Sequence, residues 1–160
     1  MFSRFSEEAQ KILLMTKKEM YDLKHPYVGS EHFLLAILKN KDLLITKFLE
    51  SYNVSYEIFK NEIINIIGVG KTTNEWFLFT PLLKRVIENA ILNSGENNVV
   101  TLEDLFSALL EEGDGVANRI LMGMNIDIDS LYEKDNYIYA RVEIKGKTAS
   151  DIIKENVQDL

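Results

Sequence analysis

Cysteine is absent from the 160 residues, which excludes a disulfide framework, a thiolate nucleophile and any cysteine-ligated zinc or iron–sulfur centre. Histidine occurs twice, as His25 and His32, without HExxH spacing, so a metalloprotease-type site lacks its ligands. His32 falls in the first turn of an expected helix, where packing or capping is its natural role. With 2 prolines and 8 glycines the chain has neither a linker-like nor a disordered composition. Long apolar runs are also missing. FLLAIL at 33–38 is the longest aliphatic stretch and is far too short to span a bilayer, while charge interrupts the first twenty residues every few positions. The expectation is a soluble, cytoplasmic protein that does not enter a membrane.

Cations are scarce in one half. Residues 1–70 carry nine Lys/Arg against nine Asp/Glu, residues 71–136 carry five against twelve, and residues 137–160 carry four against four, so the whole net charge of -7 lies in the middle segment. An acidic surface repels nucleic-acid phosphates and favours basic peptides or basic adaptor proteins.

A chain of this length buries about two thirds of its unfolded surface in one domain, and 46% of its residues are hydrophobic. Phe5-Ser6 opens a stretch in which Ala9, Ile12, Leu13, Thr16, Met20 and Leu23 recur at helical steps. Phe79-Thr80-Pro81 opens another, with Thr80 suited to the N-cap, Pro81 to the first helical position, and Leu83, Val86, Ile87, Ala90 and Ile91 forming the stripe. YVGSEHFLLAIL (27–38) then aligns with VVTLEDLFSALL (99–110) at an offset of 72, which continues to pair Lys47 with Arg119 and Asn53-Val54 with Asn125-Ile126. The pattern predicts an all-α fold, a duplicated four-helix repeat. Its helices are expected near 6–23, 30–39, 42–51 and 55–67, and again near 80–93, 101–111, 115–123 and 127–134. The domains are then repeat 1 at 1–67, a linker at 68–78, repeat 2 at 79–134 and a tail at 135–160. Within that tail, NYIYARVEIK (136–145) alternates as a strand does, and SDIIKENVQDL reads as a short helix.

GVGKTT at 68–73 looks like the end of a phosphate-binding loop. The GxxxxGK[ST] pattern needs a glycine at 65, where Asn65 stands, and a buried strand before it. What precedes is helical, with Tyr56, Phe59, Ile63 and Ile66 in period, so Gly68 reads as a helix-capping glycine in a linker. No GxSxG elbow surrounds Ser30 or Ser94, and Glu7-Glu8 and Glu111-Glu112 are solvated pairs at helix ends. Neither an enzyme nor a cofactor site is expected.

FSEEAQKIL with YVGSEHFLLAIL, and FTPLLKRVIENA with LLEEGDGVANRIL, together resemble the double repeat of the Clp N-terminal domain found at the front of ClpC-type AAA+ unfoldases. The likeness covers about residues 1–132. In this chain Leu102-Glu103-Asp104 stands where the family more often has Thr/Ser-Glu-His, and nothing corresponds to the family's ATPase modules. The resemblance implies a docking module for protein substrates and adaptors of the Clp ATPase–peptidase machinery, with ATP used only in those modules. It also implies a phosphoarginine-reading role, carried over onto Glu31 with Ser6 in one half and Glu103 with Thr80 in the other. The chemistry is sound, since a helix N-terminus attracts phosphate and a carboxylate accepts paired bonds from a guanidinium. Ser6 and Thr80 are equally explained as N-caps. Two readings follow: the N-terminal part of an unfoldase, or a free-standing accessory protein that binds the Clp machine or its adaptors.

Overall fold

The computed structural model describes residues 4–71 and 78–135. The first repeat contributes α1 (Glu7–Asp22), α2 (Ser30–Lys39), α3 (Leu44–Glu50) and α4 (Tyr56–Ile66). The second contributes α5 (Pro81–Ser94), α6 (Leu102–Glu112), α7 (Val116–Gly123) and a last helix, α8, over residues 128–135. Among the described residues there is no β-strand, only two isolated bridges. The strand and helix expected within 136–160 lie outside the described residues.

Each start has a local cause. Ser6, Ser55, Thr80 and Thr101 are N-caps whose hydroxyls accept from the backbone N–H three residues on, meeting one of the donors that a helix start leaves free. Pro81 occupies the first turn of α5, where its missing N–H costs nothing. Asn53 and Asn125 end α3 and α7 in the left-handed region at φ of 64° and 66°, a conformation that asparagine tolerates better than most residues. The offset of 72 thus holds at the level of backbone dihedrals.

One hydrophobic cluster runs through both repeats. Helix α2 lies at its centre: Ser30 through Leu38 are all buried, against α1, α4 and α7. Phe33, Phe59 and Phe106 are fully enclosed, and burying each contributes about 2–3 kcal/mol. The buried Glu19 accepts from the Tyr56 hydroxyl at 2.8 Å and lies 3.7 Å from Lys39 Nζ, so its charge is matched inside the first repeat. Arg4 donates to the carbonyls of Gly95 (2.7 Å) and Asn98 (3.0 Å), fastening the start of one repeat to the α5–α6 loop of the other.

The glycine-rich stretch is structural as far as it is described. It follows the end of α4 with Gly68 at φ 87°, and Gly70 N–H donates to Leu23 O at 2.9 Å. The backbones lie so close there that a Cβ on Gly70 would sit 1.7 Å from Lys24 O. Thr72 and Thr73 fall outside the described residues.

Candidate functional site

The extended residue ahead of each repeat's first helix is bound by the other repeat. Ser6 N–H donates to Val100 O (2.9 Å) and Val100 N–H to Arg4 O (2.8 Å); in the mirrored position Thr80 N–H donates to Val28 O (2.9 Å) and Val28 N–H to Leu78 O (2.8 Å). The two parallel bridges, Phe5 with Val100 and Val28 with Phe79, are therefore reciprocal. They set the start of α1 beside the start of α6, and the start of α5 beside the start of α2. Of the four residues nominated from sequence, the structure consequently brings Ser6 to the Glu103 side and Thr80 to the Glu31 side. The expected pairing within each repeat is corrected: both candidate sites are built between repeats.

The Glu31 side is tightly enclosed. Glu31 is 7% exposed, and its carboxylate curls back over Gly29, where an added Cβ would lie 1.8 Å from Glu31 Oε1. Burial raises its pKa, offset in part by a hydrogen bond from its own backbone. His32 caps the helix: its Nδ1 accepts from Gly29 N–H at 2.9 Å, so this nitrogen carries no proton. The rest of the chain is then determined. His32 Nε2–H donates to His25 Nδ1 (2.8 Å), and His25 Nε2–H donates to Gly68 O (2.7 Å). Burial, reinforced by His25, lowers the His32 pKa to about 3. The 3.5 Å approach of Glu31 Oε1 to His32 Nδ1 is accordingly no ion pair. Ser30 Oγ accepts from Ala117 N–H at 3.1 Å and so caps α7 from the other repeat. Leu82, on the first turn of α5, closes this side against Gly115, whose Cβ would meet Leu82 Cδ2 at 2.9 Å.

The Glu103 side uses different chemistry. Thr101 and Asp104 form a capping box, with Asp104 N–H donating to Thr101 Oγ1 (3.1 Å) and Thr101 N–H to Asp104 Oδ2 (2.9 Å). Leu102 stands where Ser30 does in the first repeat and offers α3 no cap. Glu103 is half-buried beside a cavity of about 170 Å³ between α1, α3 and α6. Burial raises its pKa, as do the charges of Glu8 and Asp104, while its own backbone and the Thr101 hydroxyl oppose the rise. Deeper in α8, Asp135 accepts from the Ser107 hydroxyl, and burial pushes its carboxyl up to about 7 against the lowering effect of that bond, with Glu103 adding to the rise. Sequence reasoning did not single out Asp135; the polar residue on the buried face of the last helix was its only signal.

Another, largely apolar cavity of about 150 Å³ lies against α1, lined by Leu13, Leu14, Lys17 and Phe79. Leu14 is 68% exposed there. Among the described residues no group of three or more His, Asp or Glu is arranged to hold a metal ion, and no helix is long and apolar enough to cross a membrane.

Residues 4–97 match the Clp repeat (R) N-terminal domain family. The chaperone protein ClpB of Oceanobacillus iheyensis is 32% identical over 134 residues, covering 81% of this chain and 16% of that protein. The ATP-dependent Clp protease ATP-binding subunit ClpC of Staphylococcus aureus is 31% identical over 162 residues, covering 100% of this chain and 20% of that protein. The chain thus spans a fifth or less of the length of these relatives. Among solved structures, the N-terminal domain of the caseinolytic protease associated chaperone ClpD from Arabidopsis thaliana superposes with a TM-score of 0.67 at 20% identity, covering 86% of this chain and 98% of that one. The ClpV N-domain in complex with a VipB peptide gives 0.62 at 18% identity, covering 82% and 84%.

Proposed function

The chain belongs to the Clp repeat N-terminal domain family, and from that premise we propose that it is a non-catalytic docking module that captures protein substrates or adaptors for a Clp unfoldase. ATP hydrolysis then belongs to modules outside this chain, which needs no cofactor of its own and works in the cytoplasm with that machinery. The observation that carries the proposal is the pair of reciprocal inter-repeat junctions, each presenting helix N-termini and a partly or fully buried glutamate. The exposed apolar face at Leu14 and Phe79 adds a surface suited to polypeptide. A neighbour of the same fold is described in complex with a peptide.

The finer reading is phosphoarginine recognition, with a guanidinium on Glu31 or Glu103 and the phosphoryl group at the start of α5 or α1. Helix N–H donors and the helix dipole favour it. Calorimetric titration with free phosphoarginine, with arginine and phosphate as controls, tests it: one or two sites support phosphoarginine as the tag, and a flat isotherm removes it. The docking role has a separate test. Excess isolated chain added to the reconstituted Clp protease of the same organism is expected to compete for substrate or adaptor and slow degradation. Unchanged degradation at saturating excess counts against docking.

A further inference from the structure

Resting on the docking reading above, we infer that the open cavity between α6, α7 and α8 takes a lysine side chain of a partner protein. At about 300 Å³, it is walled by the apolar parts of Leu110, Met122, Ile128 and Tyr132, with Glu111 and Asp129 beside them and no lysine or arginine among the lining residues. The first repeat shows what this place holds when the chain fills it itself. Counting back 72 residues, Glu111 corresponds to Lys39, Gly113 to Lys41, Ile128 to Tyr56, Asp129 to Glu57 and Tyr132 to Lys60. There Lys41 Nζ lies 3.9 Å from Glu57 Oε1, and the ammonium groups of Lys39 and Lys60 stand 5.3 and 5.5 Å from the centroid of the Tyr56 ring. Three lysines thus gather around one carboxylate and one aromatic ring.

The second repeat keeps the receptors of these lysines and lacks the lysines. Asp129 retains the carboxylate of Glu57, Tyr132 supplies an aromatic ring at the position of Lys60, and Glu111 puts a second carboxylate in the place of Lys39. Helix α2 has Lys39 in its last turn, where a cation complements the carbonyl end of a helix; the last turn of α6 has no basic residue and carries Glu111 and Glu112 instead. Neighbouring cations are engaged elsewhere, Arg85 Nη2 with Glu112 Oε1 at 3.0 Å and Lys134 Nζ over the Tyr52 ring. Among the described residues no ion pair reaches Glu111 or Asp129. A lysine from outside completes the arrangement, its methylene stem against the apolar wall and its ammonium between two carboxylates that come from different helices. Arginine suits it less, because a guanidinium fork matches two oxygens of one group, whereas a compact point charge suits separate ones. The negative charge concentrated in residues 71–136 attracts such a segment from a distance.

The test titrates the ¹⁵N-labelled full chain with acetyl-Leu-Lys-Leu-amide and with the same tripeptide carrying side-chain-acetylated lysine or arginine. The lysine peptide is expected to shift the amides of Leu110, Glu111, Met122, Asp129 and Tyr132, and to bind about tenfold more tightly than the acetylated peptide and about threefold more tightly than the arginine one. Glu111→Lys, at an exposed position, gives the second repeat the lysine that the first has at Lys39. It is expected to weaken binding about tenfold while amides away from the cavity keep their positions, and Asp129→Asn to weaken it about threefold. Equal binding of the acetylated peptide, arginine binding as tight or tighter, undiminished binding to Glu111→Lys, or shifts confined to the Leu14 face or the Glu103 side overturns the inference. Shifts of the cavity amides with chain concentration alone overturn it too, since the occupant is then a second copy. No shift with any peptide overturns it as well. The degradation competition separates this inference from the docking reading: Glu111→Lys is expected to compete less well than the unaltered chain. Equal competition by both overturns the lysine site and leaves docking on another surface, whereas no competition by the unaltered chain counts against docking itself.

Discussion

Helices α2 and α6 begin at equivalent positions of the two repeats and satisfy their first backbone donors in unlike ways. In α2 the cap residue is Gly29, which has no side chain to offer, and the imidazole of His32 accepts its N–H and passes the bond through His25 to Gly68 O. In α6 Thr101 and Asp104 close on each other and need no third residue. At another equivalent pair the copies agree: Thr46 Oγ1 donates to Ile37 O just as Asn118 Nδ2 donates to Leu109 O. The backbone's demands are the same in both halves, and what differs is the chemistry that meets them. One junction is tightly enclosed, the other more open and richer in carboxylates.

Breaking the two caps separates them most strongly. His32→Ala leaves Gly29 N–H and His25 Nδ1 without their present partner in a buried place, and is expected to cost about 3 kcal/mol. Asp104→Ala, half-exposed and reachable by water, should cost about 1 kcal/mol. Urea unfolding of both variants checks the order, and equal losses would mean that the histidine chain adds nothing beyond an ordinary cap.

Acid should divide the repeats next. The His32 pKa is about 3 in the fold against 6.5 for a free histidine, so its neutral form stabilises the fold above pH 6.5 and that contribution is lost as the pH falls toward 3. Asp135 works in the opposite sense. Its pKa rises from 3.8 to about 7, so its contribution is full below pH 3.8 and disappears as the pH rises through 7. Lowering the pH from 7 to 5 should reduce the hydrogen-exchange protection of α2 relative to α6, after correction for intrinsic rates. Asp135→Asn should raise stability at pH 7 by about 2 kcal/mol and have less effect at pH 4, as measured by urea midpoints.

Smaller effects sharpen the contrast. Gly29→Ala pushes a flexible carboxylate aside and leaves the backbone in place, so stability should change by less than about 1 kcal/mol. The readout is the Glu31 carboxyl, whose pKa should fall toward the ordinary range as the group moves into water, followed by carbonyl NMR. Asn53→Gly and Asn125→Gly should each shift stability by only a few tenths of a kcal/mol, and equally, because both replace a tolerated left-handed residue by the one that adopts this geometry without strain.

Most of the fold was legible because its signals are local. The caps at Ser6 and Thr80 and the turn of Pro81 into α5 are all decided within four residues of chain. The reading of GVGKTT as a helix end rested on the same kind of signal and agrees with Gly68 following α4. The candidate site was legible only in part. Glu31 and Glu103 were nominated by the resemblance to the Clp N-terminal repeat, but the burial that shifts their acidity depends on what packs over them, and so does the pocket beside Leu102 at the start of α3.

The sequence by itself determined the helices, their caps, the duplication and the acidic character of the second half, since each is written in neighbouring residues or in a repeat offset. Only the tertiary structure decided which helix start meets which. A duplicated sequence is equally compatible with junctions inside each repeat or across the pair, because equivalent residues carry equivalent signals. The choice is made by long-range hydrogen bonds, Ser6 to Val100 and Thr80 to Val28, and by the shared core that buries both sets of apolar stripes together.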